Sequence, residues 1–188
     1  PAATARAVDS TATVDSAVAM ALQRFASVGN VAASEKCLTQ LLDSGQADAN
    51  AYMHLLRAYL RSSESVAHAE DVIVRMREHG LLSPWSCEMT LVILAKHGEL
   101  ALAERFFDQM TSARAAQPNI AAFYVMINAF AERAEPEGAK KWFEKLESAG
   151  LRPNLLCFTA MLRSFSKIGD AAAAEQWLAR MQQEGVEP

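Results

Sequence analysis

Histidine, cysteine and carboxylate side chains are where chemistry would first be sought in this sequence, so their spacing is taken first. His54, His68, His79 and His97 show no metal-ligand spacing with one another or with Cys37, Cys87 and Cys157. The three cysteines are far apart and set inside apolar helical patterns, which reads as buried small hydrophobes in a reducing compartment rather than disulfides or a metal site. There is no glycine-rich phosphate loop and no Gly-x-Ser-x-Gly. Glu132, Glu135 and Glu137 read as a solvated surface. No catalytic constellation, cofactor, metal or small-molecule substrate follows from these residues. The chain is therefore read as non-enzymatic.

The elements that would position any binding residue announce themselves by repetition. Val18, Tyr52, Cys87, Phe123 and Phe158 are separated by 34, 35, 36 and 35 residues, and Phe25, Tyr59, Leu94, Phe130 and Phe165 follow the same steps. Two ladders with matching steps imply a solenoid of stacked supersecondary units. The expected fold is all-α: a right-handed solenoid of about five helix-turn-helix units, over residues 15–48, 49–83, 84–119, 120–154 and 155–188. In the first unit, helix A is expected over Asp15–Ser27 and helix B over Val31–Ser44, stopped by Gly45. The second turns at Ser62–Ser65. In the third, the break is Lys96-His97-Gly98-Glu99, and Ala115-Ala116 replace the closing glycine. Pro136 opens helix B of the fourth, where a missing N–H has no partner to lose.

Composition agrees with this reading and narrows it. About half of the 188 residues are apolar and six are proline, enough to bury a continuous core. No apolar run approaches the roughly 18–20 residues that a membrane helix needs; the longest, Met89–Ala95, reads as one buried helix. The net charge of −4 argues against a simple basic nucleic-acid binder while leaving local basic stripes open. Residues 1–14, rich in Ala, Thr and Ser, read as a linker or the remnant of an organelle-targeting leader. The chain stops where a sixth unit would begin, without a polar cap, so further repeats are expected beyond it.

The last two units carry more than a period. Gly150, Pro153, Asn154, Phe158, Met161, Leu162, Lys167, Gly169, Asp170, Ala174, Trp177, Met181 and Gly185 resemble the pentatricopeptide repeat: a Gly-x-x-Pro-Asn lead-in, a Lys-x-Gly-Asp turn and a Met-x-x-x-Gly close. The resemblance covers residues 15–188, weakening toward the N-terminus. The 35-residue period and the lead-in separate it from the 34-residue tetratricopeptide unit.

The resemblance implies a soluble protein of mitochondria or chloroplasts that binds single-stranded RNA in processing, stability or translation, one base per repeat on the face built by the A helices. By family carry-over, the fifth residue of each unit reads the base: Ala19, Met53, Glu88 (or Met89 in the alternative register), Tyr124 and Thr159. The closing residue of the unit assists: Asp48, Ser83, Asn119 and Asn154. Only Thr159 has the short polar side chain a base edge asks for. Ala19 and Met53 cannot specify an edge, Glu88 would face a polyanion, and Tyr124 is bulky. Lys96, Lys167 and Arg61 end their A helices, where they would touch phosphate or answer the helix dipole. The periodic aromatics Tyr52, Phe123, Phe158, Trp142 and Trp177 read as core, and Trp85 as an exposed contact for a base or a partner. The alternative reading is a scaffold subunit of a larger organellar assembly that has kept the fold and lost base readout; its partner would be protein.

Overall fold

The computed structural model describes residues 2–62, 66–112 and 117–187; the expected Ala115-Ala116 close and residues 63–65 of the second turn lie outside them. Ten helices make up the described residues, with no strand among them: α1 (Ala2–Ser27), α2 (Val31–Asp43), α3 (Ala49–Arg61), α4 (Val66–Glu78), α5 (Pro84–Lys96), α6 (Leu100–Ser112), α7 (Ile120–Glu132), α8 (Pro136–Ser148), α9 (Leu155–Ile168) and α10 (Ala171–Gln183). Odd-numbered helices are the A helices of the repeats, even-numbered ones the B helices. They form two compact units, Pro1–Leu82 and Ser83–Pro188. In each, an A helix packs on its own B helix and on the next A helix. One boundary differs from expectation: α1 begins at Ala2 rather than Asp15.

Local chemistry sets the ends of these helices. Asp48, Ser83, Asn119 and Asn154 are N-caps of α3, α5, α7 and α9, each side-chain oxygen accepting a backbone N–H in the first turn. Between A and B helices the chain turns through a left-handed residue eleven positions past Val18, Cys87, Phe123 and Phe158 of the first ladder. Gly29, Gly98 and Gly169 fill it at φ 74°, 80° and 76°, but the fourth repeat places Ala134 there at φ 56°. The same turn is poorer on its other side as well. Glu135 makes no side-chain cap to α8, whereas Asn30 and Asp170 cap α2 and α10.

In the second unit, neighbouring repeats interlock through aromatic wedges. Phe107 of α6 meets Phe123 and Trp142 of the next repeat edge-on, at 4.9 and 4.7 Å between centroids. Phe143 of α8 meets Phe158 and Trp177 in the same way, at 5.1 and 4.8 Å. Trp142 is buried and its indole N–H donates to Glu104. Cations cover the outer side of the wedges. The Lys145 ammonium lies 4.3 Å from the Trp142 ring and bonds Asp108, and the Arg180 guanidinium lies 5.1 Å from the Trp177 ring and bonds Glu147. In the first unit, Tyr52 is buried and its hydroxyl meets His79 Nδ1 at 3.1 Å, while Arg75 and Tyr59 both bond Glu35. The aromatics expected in the core are there, with Trp177 half-buried. Phe25, on the second ladder, is an exception at 37% exposed.

All three cysteines are free and buried. Burial pushes the Cys87 thiol up to about 11 and raises those of Cys37 and Cys157 as well. Since the thiolate is the reactive form, a disulfide reagent at pH 8 is expected to leave the native protein unlabelled and to titrate all three thiols on unfolding; rapid labelling of the folded chain would contradict this packing. A left-handed alanine costs about 1–2 kcal/mol, part of which glycine's greater unfolded-state freedom returns. Ala134→Gly is therefore expected to stabilise the protein by about 0.5–1 kcal/mol and to raise its melting temperature by about 2 °C, read by thermal denaturation.

Candidate functional site

The A helices line a cleft in each unit. In the first, α1 and α3 enclose about 610 Å³ bordered by Asp15, Ala19, Met20, Gln23, Asp48, Asn50 and His54. Lys and Arg do not contribute to its lining. Desolvation, then the nearby Arg57, hold the His54 pKa below its ordinary value against the opposing pull of Asp48. Ala19 is exposed at the cleft wall, but Met53 is only 4% exposed. Met53 is a core residue and presents nothing to a ligand, which removes it from the expected readers.

In the second unit, α5 and α7 enclose about 500 Å³, lined by Lys96, Tyr124, Val125, Asn128, Glu132 and Arg133 among others. Tyr124 and Lys96 therefore face one space. Glu88 and Met89 are half-buried on α5, outside that lining. Thr159 is exposed on α9, where its hydroxyl donates to the Leu155 carbonyl at 2.7 Å; the oxygen is left with lone pairs to accept a hydrogen bond from a ligand. Ser83, Asn119 and Asn154 are exposed, and their capping oxygens are already occupied. The amide nitrogens of the two asparagines take no part in capping. Trp85, the second residue of α5, is 51% exposed, as expected.

The basic residues at the A-helix ends have a structural task. Arg61 donates to the Ser27 carbonyl (2.8 Å), Arg133 to the Gly98 carbonyl (3.2 Å) and Lys167 to the Glu132 carbonyl (2.9 Å). Each cation thus answers the C-terminal end of the A helix one repeat earlier, where unpaired carbonyls and the dipole favour positive charge. Lys96 is exposed, and no hydrogen bond joins it to a described residue.

Glu132 is more than a solvated carboxylate. Its two oxygens accept from Arg163 Nη1 at 2.6 Å and from Lys167 Nζ at 2.7 Å, and Arg163 Nη1 also reaches Asn128 Oδ1 at 3.2 Å. Hydrogen bonds from Lys167 and then Arg163 hold its pKa below the usual carboxylate value. Glu135 pairs with Arg133, and Glu137 lies in the first turn of α8. Sequence reasoning passed over Arg163, Asn128 and Arg133. One signal was available: nine residues past the last four rungs of the first ladder stand Arg61, Lys96, Glu132 and Lys167, and among these only the fourth repeat inverts the charge.

Comparison with known families gives the array its class. A pentatricopeptide repeat domain model matches residues 141–188, and a PPR repeat model matches residues 121–151. Residues 121–188 are thereby identified as pentatricopeptide repeats. The chain's fold is the α-solenoid of pentatricopeptide proteins, as similar solved structures show. The maize pentatricopeptide repeat protein PPR10, in complex with an 18-nt psaJ RNA element, aligns with a TM-score of 0.63 at 16% identity, over 93% of this chain. This chain spans 29% of PPR10. The pentatricopeptide domain of Arabidopsis thaliana protein-only RNase P 1, in complex with tRNA, aligns with a TM-score of 0.59 at 15% identity, over 89% of this chain and 88% of that one. Nuclear proteinaceous RNase P 2 from A. thaliana gives the same score and identity, over 38% of its own chain. No curated protein sequence matches. None of the described helices is long and apolar enough to cross a membrane.

The Glu132 pairing has a pH signature. Its folded pKa lies below the unfolded one, so its contribution is complete above the unfolded carboxylate pKa of about 4.3 and is lost as pH falls through the folded value. Glu132→Gln is expected to melt below wild type at pH 7, with the deficit shrinking as pH falls below about 4. A deficit independent of pH in thermal melts would show that the ion pairs do not contribute.

Proposed function

We propose that this pentatricopeptide protein binds single-stranded RNA along its A-helix face, acting without catalysis in organellar RNA processing, stability or translation. The carrying observation is how charge is divided within the repeats. From Asp15 onward the A helices hold Arg24, Arg57, Arg61, Lys96, Arg163 and Lys167 against Asp15, Glu88 and Glu132. The B helices hold more carboxylates than cations. A net charge of −4 therefore leaves the A helices basic, which is what a polyanion asks for. Two similar structures, PPR10 and RNase P 1, hold RNA in their crystals, which supports the same use here.

Within that reading, Thr159 accepts a hydrogen bond from a base edge, Tyr124 stacks on a base within the α5–α7 cleft, and the amides of Asn119 and Asn154 add donors. Lys96 meets phosphate. Glu88 and Ser83 lie on the same helix and its cap as Lys96, and contribute less. The first unit favours a second reading for its own cleft: Asp15 and Asp48 with the exposed Met20 suit a protein partner, as in a scaffold subunit of a larger assembly.

The test is binding of the purified chain to a pool of single-stranded RNA at low and at physiological salt. Micromolar or tighter binding that weakens steeply with salt is expected. Lys96→Gln should flatten the salt slope by about 0.7, and Thr159→Ala should weaken selected sequences by about fivefold, the equivalent of one hydrogen bond of about 1 kcal/mol. Absence of binding at low salt would refute the RNA reading.

A further inference from the structure

The α7–α9 junction of the second unit holds two cations on one carboxylate, on the face assigned above to RNA. Arg163 and Lys167 converge on the two oxygens of Glu132, and the Glu132 side chain remains 48% exposed. Two charge-assisted bonds meeting at one planar anion is the geometry by which proteins also seat phosphate. The cations do not depend on the carboxylate for their placement. Arg163 keeps Asn128 Oδ1 and Lys167 keeps the Glu132 backbone carbonyl as neutral acceptors, so the seat stays assembled if the carboxylate swings away.

The surrounding backbone points to the same place. Glu132 stands where Arg61, Lys96 and Lys167 stand in their repeats, and the turn that follows it departs from those at Gly29 and Gly169 by a left-handed alanine and a missing side-chain cap. Such departures cost free energy and cluster where function requires them.

We propose that Glu132 is an internal surrogate for a backbone phosphate: it occupies the anion seat made by Arg163 and Lys167, and a nucleic-acid phosphate must displace it before this junction contributes to binding. The inference rests on the RNA reading and deepens it. The junction is self-neutralised when empty, so weak or diffuse polyanions gain little there. A strand already held elsewhere on the A-helix face presents its phosphate at high local concentration and exchanges with the carboxylate.

The experiment compares wild type, Glu132→Gln and Glu132→Gln/Arg163→Gln/Lys167→Gln by fluorescence anisotropy on a labelled single-stranded oligouridylate across a salt series, with thermal melts confirming cooperative folding. Glu132→Gln is expected to bind about three- to tenfold tighter at low salt, with a slope steeper by about 0.7 per phosphate gained. The triple variant is expected to lose that gain. Should Glu132→Gln fold poorly, Glu132→Ala removes the same carboxylate with a strong helix former. Equal or weaker binding by a folded Glu132 variant, with wild type still binding, would overturn the inference and leave the RNA reading intact; a gain that survives in the triple variant would also overturn it. If neither wild type nor the Glu132 variants bind at low salt, the RNA reading fails and this inference with it.

Discussion

A two-helix repeat of this length cannot bury its own apolar face, so its stability depends on the neighbour that covers it. In the second unit that dependence is met by a ring from one B helix driven between the A and B rings of the next repeat. Phe107 sits against Phe123 and Trp142, and Phe143 against Phe158 and Trp177. Edge-to-face contacts of this kind add directional preference to area burial. The outer cations Lys145 and Arg180 then complete the same joints, each bonded to a carboxylate of the preceding B helix. The A helices of this unit are held in place by these wedges. The α5–α7 cleft exists because the helices on either side of it are fixed by their B partners.

The charge pattern follows from the same arrangement. A helices offer one stripe to the core and one to the face where they stand side by side, so a residue nine places past each core rung recurs along that face. Arg61, Lys96 and Lys167 make the recurrence basic; Glu132 interrupts it and draws two cations to itself. The interruption matters more than its single charge suggests, because it converts three exposed groups into a closed set. Nearby, Lys96 and Tyr124 keep an open cleft.

Much of this was legible in the sequence, and for a physical reason. Each repeat buries equivalent positions, so Tyr52, Cys87, Phe123 and Phe158 had to recur, and their spacing yields the helix-turn-helix repeat; the family resemblance needs the Gly-x-x-Pro-Asn lead-in and Lys-x-Gly-Asp turn of the last units as well. The N-cap role of Asp48, Ser83, Asn119 and Asn154 follows from residue type and place. What escaped was whatever depends on the neighbour rather than the period. Met53 occupies a reader position by counting, yet α3 turns it into the core. Phe25 sits on a core ladder, yet it stays 37% exposed. Arg163 and Glu132 lie 31 residues apart, and their pairing requires the register between α7 and α9, which no local pattern encodes.

The bonds from Arg61, Arg133 and Lys167 to carbonyls one repeat earlier carry a geometric consequence. Each ties the tail of one A helix to the tail of its predecessor through a single extended side chain. The reach of that side chain limits how far successive A helices of a unit can part at that end. Opening a unit along that edge means breaking a charged bond at each such step as well as apolar contact, so the edge resists link by link.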